Sequence, residues 1–262
     1  MIERLDTRKR IASLFLLPQC DMSCSFCASE SDFSVMSFGQ AAGLLRSLRE
    51  RSIDNVVLGG GEPFLWPHGL ERLGTLARDL GFLVQVCTNG VSLPAGFEQI
   101  ASVDRYILPL EAMDPGLHDE LRRHPRGHHA LVLERVAVLA GTGRELTVST
   151  VVTRANVDRL DEIADYLQAA MTSGVAVHAW HLYRFLPVGR GGSVNASRLE
   201  IGRDDYLRAC AAVRRRDPGF RIFRRDDMLR SSTVEFFWFE NGRLRIGSEA
   251  LNADIARRDG AG

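Results

Sequence analysis

The chain has 262 residues, 45% hydrophobic and 25% charged, with a formal net charge of zero. That balance excludes general binding to nucleic acid or an anionic membrane as its main activity, and no apolar run reaches the roughly 20 residues of a bilayer span. Five cysteines, an odd number with three in one cluster, exclude a disulfide framework and point to a reducing compartment, the cytoplasm. The opening MIERLDTRKRIASLFLLP has too short an apolar run for a secretion signal.

Short apolar runs alternate with amphipathic segments along the chain. Residues 13–17 (SLFLL) read as a buried strand and FGQAAGLLRSLRERS, from Phe38, as a helix. A second strand is expected at 55–60, then helical spacing from Gly69 to Leu80. The third spans 82–90 and ends in the turn signal Asn89-Gly90. Residues 104–112 read as a fourth strand with a helix at 129–141, 145–153 as a fifth with a helix at 157–171, and 175–187 as a sixth. A flexible GRGGSVN loop, a helix over RDDYLRACAAVRRRD, a hairpin turning at Asn241-Gly242 and a short polar tail after Ser248 follow. This order predicts an α/β fold with a parallel sheet: a partial (β/α)6 TIM-like barrel with a C-terminal helix and β-hairpin extension. The barrel core is expected over 1–190, and 191–262 as an extension packed on it within one domain, the hairpin covering or closing one edge.

Unusual residues fall after the strands, at the rim where such barrels carry their sites. Cys20, Cys24 and Cys27 follow the first strand with spacing C-x3-C-x2-C, Gly59-Gly60-Gly61-Glu62-Pro63 the second, and Thr88-Asn89-Gly90 the third, while Glu111 ends the fourth. Three thiolates are one short of a structural zinc site, and no second C-x2-C or histidine pair supplies a fourth ligand. A [4Fe–4S] cluster with one iron left open fits this donor set better. The remaining cysteines, Cys87 and Cys210, read as small core hydrophobes on a strand and a helix.

The cysteine spacing, with Phe26 just before the last cysteine and GGEP at 60–63, resembles the radical S-adenosylmethionine (radical SAM) superfamily over roughly residues 12 to 190. The resemblance implies that S-adenosylmethionine chelates the open iron through its amino and carboxylate groups. One electron from the cluster then breaks the sulfonium C–S bond, and the 5′-deoxyadenosyl radical removes hydrogen from a substrate. An external one-electron donor such as flavodoxin or ferredoxin is implied, and oxidoreductase or lyase chemistry. Within that frame Gly60 and Gly61 let backbone approach the cofactor, Glu62 accepts its ammonium group, and Phe26, Asn89, Glu111, Ser149 and Thr150 are further cofactor contacts.

The stretch DPGLHDELRRHPRGHH, from Asp114, is similar to the segment after the fourth strand in the viperin and molybdenum-cofactor GTP cyclase branches. It nominates His118, Arg122 and Arg126 for substrate. WHLYRFLPVGRGG, from Trp180, reads as a ligand wall in which His181, Tyr183, Arg184 and Arg190 face an anion, while Trp180, Tyr183 and Phe185 keep the pocket dry. The viperin Asn-x-Tyr pattern is absent, since Asp21, Met22 and Ser23 stand there, and no auxiliary-cluster cysteines are present. The expected substrate is a small anionic molecule, nucleotide-like or sugar-nucleotide-like. The alternatives are a peptide- or protein-modifying radical enzyme, including an activator of glycyl-radical enzymes, and a non-catalytic protein that binds the cluster and S-adenosylmethionine.

Overall fold

The computed structural model describes residues 10–124, 127–228, 231 and 233–247; Arg126 and the tail after Ser248 lie outside them. Six apolar runs form strands β1 (Ile11–Phe15), β2 (Asn55–Gly59), β3 (Leu83–Cys87), β4 (Arg105–Pro109), β5 (Glu145–Val152) and β6 (Ala176–Arg184), each parallel to the next. Helices α1 (Phe38–Glu50), α2 (Leu70–Asp79), α3 (Pro115–Arg122), α4 (His128–Val138) and α5 (Leu160–Thr172) lie in the crossovers. Local chemistry sets their starts. Ser37 and Gln40 form a reciprocal capping box at α1, and Asp114 caps α3 with Pro115 in its first turn. Strands 3, 4 and 6 each end three residues before the expected limits, because the chain turns there into the rim.

After β6 come α6 (Gly189–Gly192), α7 (Ala196–Leu199) and α8 (Arg203–Arg215), then β7 (Arg221–Arg225), β8 (Val234–Glu240) and β9 (Arg243–Ile246). The GRGG segment expected to be a flexible loop is thus a helical turn. Strand β7 adds in parallel to β6, β8 adds in parallel to β1, and β9 returns antiparallel to β8 through Asn241 and Gly242, both at positive φ. The sheet therefore runs β7-β6-β5-β4-β3-β2-β1-β8-β9. It stays open, with the hairpin widening one edge instead of closing it. Chain length nevertheless requires strong curvature. From Arg225 to Val234 the chain has nine Cα steps, a reach of about 30 Å. Seven strand spacings in a flat sheet would demand about 34 Å before any descent along the strands.

Alternate residues divide between the two faces of the sheet. Leu14, Val56, Leu58, Val84, Val86, Leu108, Leu146, Val148 and Leu182 are wholly buried in the core on one face. Strand register stacks the others in levels across the inner face of the barrel. The lower level holds Ser13, Val57, Gln85, Arg105 and Glu145. Arg105 plugs it, bonding Glu145 at 2.9 Å and Gln85 at 3.0 Å. Above are Cys87, Ile107, Thr147 and Ala179, then Pro109, Ser149, His181 and Phe223, and last Val151, Tyr183 and Arg225.

Candidate active site

The three cysteines lie, half-buried, on the loop after β1. This loop rests directly on the turn after β2. Gly61 N–H donates to Leu17 O at 2.7 Å and Glu62 N–H to Gln19 O at 2.8 Å. A Cβ on Gly61 would sit 1.8 Å from Gln19 O, and one on Gly60, at φ 130°, would sit 2.6 Å from Leu17 O. The glycines expected to admit a cofactor here admit the protein's own cysteine loop. Glu62 is fully buried and accepts from Thr88 Oγ1 at 2.8 Å, Asn89 N at 2.8 Å and Phe64 N at 3.1 Å. Three of its roughly four acceptor positions are taken. Burial pushes its carboxyl up to about 7 despite those donors.

Cys20 and Cys24 each have a nitrogen donor to sulfur. Asn89 Nδ2 lies 3.6 Å from Cys20 Sγ and 2.5 Å from Asp21 Oδ1. Arg122 Nη1 lies 3.6 Å from Cys24 Sγ, its guanidinium 5.0 Å over the buried ring of Phe26. Arg190 donates to Pro18 O at 2.9 Å, which sets its positive charge beside Cys27. Burial pushes the Cys20 thiol up to about 11 and raises that of Cys24 as well.

Glu111, expected to meet the cofactor, has no exposed surface. It pairs with Arg122 at 2.5 Å, and its second oxygen accepts from Val151 N at 2.7 Å. His118, expected at the substrate, is equally buried and belongs to a chain whose direction follows from its ends. Glu111 N–H donates to His118 Nδ1 at 3.1 Å, so His118 Nε2 carries the proton shared with His128 Nδ1 at 2.8 Å. His128 Nε2 then donates to Asn89 O at 2.7 Å. Both rings are neutral, since burial depresses His118 to about 2 and His128 to about 4. They tie the end of β4 to the end of β3 and do not face a ligand.

Three further expectations are corrected by strand alternation. Thr150 faces away from the barrel interior, donating to Leu110 O and accepting from Trp180 Nε1 at 2.9 Å. Trp180 and Phe185 are core residues. Cys87, read as core, instead opens on the inner face; the surrounding barrel wall still pushes its thiol up to about 11. Cys210 is buried as read. Ser149, His181 and Tyr183 do face the interior, half-exposed, with His181 Nδ1 3.2 Å from the Tyr183 hydroxyl. Arg184 is engaged elsewhere, donating to Asp226 O at 2.9 Å.

The GRGG turn packs on the cysteine loop as closely as the β2 turn does. Gly191 and Gly192 N–H groups both donate to Cys27 O, at 3.0 and 3.2 Å. A Cβ on Gly191 would lie 2.3 Å from Cys24 O, and one on Gly189 2.3 Å from the Ala28 carbonyl carbon. Sequence reading missed this clamp, along with Asp21, His128 and Asn156. Asn156 Nδ2 bonds Glu111 O at 2.8 Å and Val151 O at 3.0 Å. No spacing signal marks these residues; only their contacts do.

The donor set suits an iron–sulfur cluster. Three soft sulfur donors share one loop, two of them with an N–H partner of the kind that surrounds cluster thiolates. Among the described residues no three His, Cys, Asp or Glu side chains converge as a single-ion site would require. The family model of the Radical SAM superfamily matches residues 14–167. The chain is 27% identical over 157 residues to PqqA peptide cyclase of Streptomyces rochei, covering 57% of this chain and 42% of that protein. It is 29% identical over 184 residues to mycofactocin maturase MftC of Mycolicibacterium smegmatis, covering 67% and 44%. It therefore spans under half the length of these curated relatives. Among solved structures, Streptococcus suis SuiB bound to precursor peptide SuiA superposes with a TM-score of 0.73 at 14% identity, over 95% of this chain and 61% of that one. SuiB bound to S-adenosylmethionine gives 0.70 at 14% identity, over 91% and 60%.

Proposed function

The chain belongs to the radical SAM superfamily, and from that premise we propose that it modifies a peptide, with Cys20, Cys24 and Cys27 holding its cluster. It is an enzyme whose cofactors are a [4Fe–4S] cluster and S-adenosylmethionine. When bound, these supply an electron and an adenosyl radical able to remove a hydrogen atom from substrate. The chain's own residues then divide the remaining work. Glu62, fully buried, fixes the turn after β2 against Thr88 and Asn89, so that the backbone of this turn is proposed to meet the methionine moiety. Asn89 orients Cys20 and Asp21 through its amide. Ser149, His181 and Tyr183 line the wall above the Arg105–Glu145 floor and would hold the substrate there.

The choice of a peptide over a small anion rests on what the arginines do. Arg122, Arg184 and Arg190, expected to grip an anion, are engaged by Glu111, Asp226 O and Pro18 O. The names of the curated relatives, a peptide cyclase and a maturase, support the same choice. A flavodoxin or ferredoxin is proposed as electron donor. Residues 1–190 and 191–262 are proposed to act as one unit, because strands from the second stretch extend both edges of the first. Among the described residues no helix is long and apolar enough to cross a membrane.

The test is anaerobic reconstitution, then incubation with S-adenosylmethionine and dithionite, with 5′-deoxyadenosine read by mass spectrometry. Stimulation by a precursor peptide such as PqqA or SuiA, with a mass change in the peptide, is the expected result. Stimulation by nucleotides and not by peptides would return the small-anion reading. A loaded protein that yields no 5′-deoxyadenosine in any arm would overturn both.

A further inference from the structure

Two cations lie beside the cysteine loop, one from α3 and one from the GRGG turn, and neither was expected there. Arg122 arrives from α3, its side chain 11% exposed, with Nη1 3.6 Å from Cys24 Sγ and Nη2 2.5 Å from Glu111. Arg190 arrives from the GRGG turn, donates to Pro18 O at 2.9 Å and carries its charge beside Cys27. The Nε of each is buried and has no hydrogen-bond partner in the protein. Burying an arginine Nε with its donor unused is costly. Backbone packing holds both in place. Ser25 N–H and its hydroxyl both bond Leu121 O, at 2.9 and 2.8 Å, joining the cysteine loop to α3 beside Arg122. Gly189 and Gly191 meet the loop at distances that admit no side chain.

Fixed charge beside sulfur ligands changes how readily a cluster accepts an electron. Reduction adds one negative charge to the cluster and its thiolates, and a cation a few ångströms away in a poorly solvated site stabilises that added charge. Resting on the radical SAM reading of the cysteines, we propose that Arg122 and Arg190 raise the reduction potential of the cluster, and that Glu111, as counter-charge, limits the share of Arg122. The step concerned is one electron passing from the external donor to the cluster, with no bond made or broken. The two arginines act unequally. Arg122 lies in a buried pair with a carboxylate, whereas Arg190 donates to a carbonyl, has no carboxylate partner in hydrogen-bond reach among the described residues and is part-exposed.

The opposite signs of the arginine and glutamate effects make this testable apart from activity. Protein is reconstituted anaerobically, and iron, sulfide and visible absorbance are measured first. A dithionite titration in the absence of S-adenosylmethionine is then followed by EPR at controlled potentials. Arg122→Gln and Arg190→Gln are expected to move the midpoint to more negative values, Glu111→Gln to less negative ones, and Arg122→Lys to stay near wild type. If Arg122→Gln does not load a cluster, Arg190→Gln and Glu111→Gln still carry the test. Midpoints that stay together in loaded variants, or that shift alike on removing arginine and glutamate, would overturn the proposal. A wild-type chain that takes up no iron and sulfide would instead sink the cluster reading itself.

Discussion

Two arginine–glutamate pairs sit inside this barrel, one at each end of the inner face, and the same two side chains behave differently in each. At the floor, Arg105 meets Glu145 across directly registered strands, and the carboxylate stays 41% exposed. At the rim, Arg122 meets Glu111 with no carboxylate surface exposed at all. Burial raises both carboxyls, but at the floor the hydrogen bonds and charge of Arg105 win and Glu145 ends below the ordinary carboxylate range. At the rim desolvation wins and Glu111 ends above it. Each pair also has a histidine in contact, His178 near Glu145 at 3.5 Å and His118 on the Glu111 backbone. The lesson is one of solvent. A pair that keeps some water closes a barrel at little expense, while a fully dried pair is an unfavourable arrangement to fold around and marks a place where charge has another use.

Breaking the rim pair one partner at a time is the harshest test of that contrast. Glu111→Ala strands a buried guanidinium and an unpaired Val151 N–H, and should lower stability by about 3 to 5 kcal/mol. Joint replacement with Glu111→Leu and Arg122→Met should restore most of it. Urea unfolding of the cluster-free protein reads both, and a loss under about 1 kcal/mol for Glu111→Ala would erase the distinction between the pairs.

Acid should act next most strongly, through the rim histidines. His128 falls from 6.5 to about 4 in the folded chain, with burial as the leading cause, and His118 falls further. On acidification the unfolded imidazoles bind protons first. Stability is therefore full above pH 6.5 and declines as pH drops toward 4, by on the order of 3 kcal/mol for His128 alone. Urea midpoints from pH 8 to 4 should show this slope in wild type and a shallower one in a His118→Leu, His128→Leu double variant. Equal slopes would mean that the two rings are not held neutral. His178 at the floor is also lowered, chiefly by burial, but Glu145 pulls it the other way.

Gly61→Ala sharpens the comparison at the backbone level, because the rim is assembled by main-chain contact where the floor is assembled by side chains. Its Cβ would fall 1.8 Å from Gln19 O. A loss of about 2 kcal/mol is expected, with reduced iron uptake on reconstitution. Stability and iron content matching wild type would show that the cysteine loop moves freely off the β2 turn. The mildest change should be Glu145→Gln at the floor. Its part-exposed pair is worth at most about 1 kcal/mol, so a urea midpoint shift as large as that of Glu111→Ala would refute the solvent argument.

Much of this was legible in the chain itself. Apolar runs alternating with helical spacing specify the order β1 to β6, because strands covered on both faces need continuous apolar sequence. Asn241-Gly242 specifies the hairpin, because both turn positions require positive φ. The crowding of Cys20, Cys24 and Cys27 specifies a soft-metal site without any fold at all. Tertiary structure alone decided the rest. The same two-face burial that makes the strands readable hides which alternate residues face inward, so Thr150 and Trp180 looked like site residues and Cys87 like core. Contacts across long stretches of chain carry no local period. Arg122 reaches Cys24 across 98 residues, and Arg190 reaches Pro18 across 172. Two arginines that read as hands for an anionic ligand became fixed charges beside the cysteines, because side-chain chemistry is written in the sequence but its partner is chosen by packing.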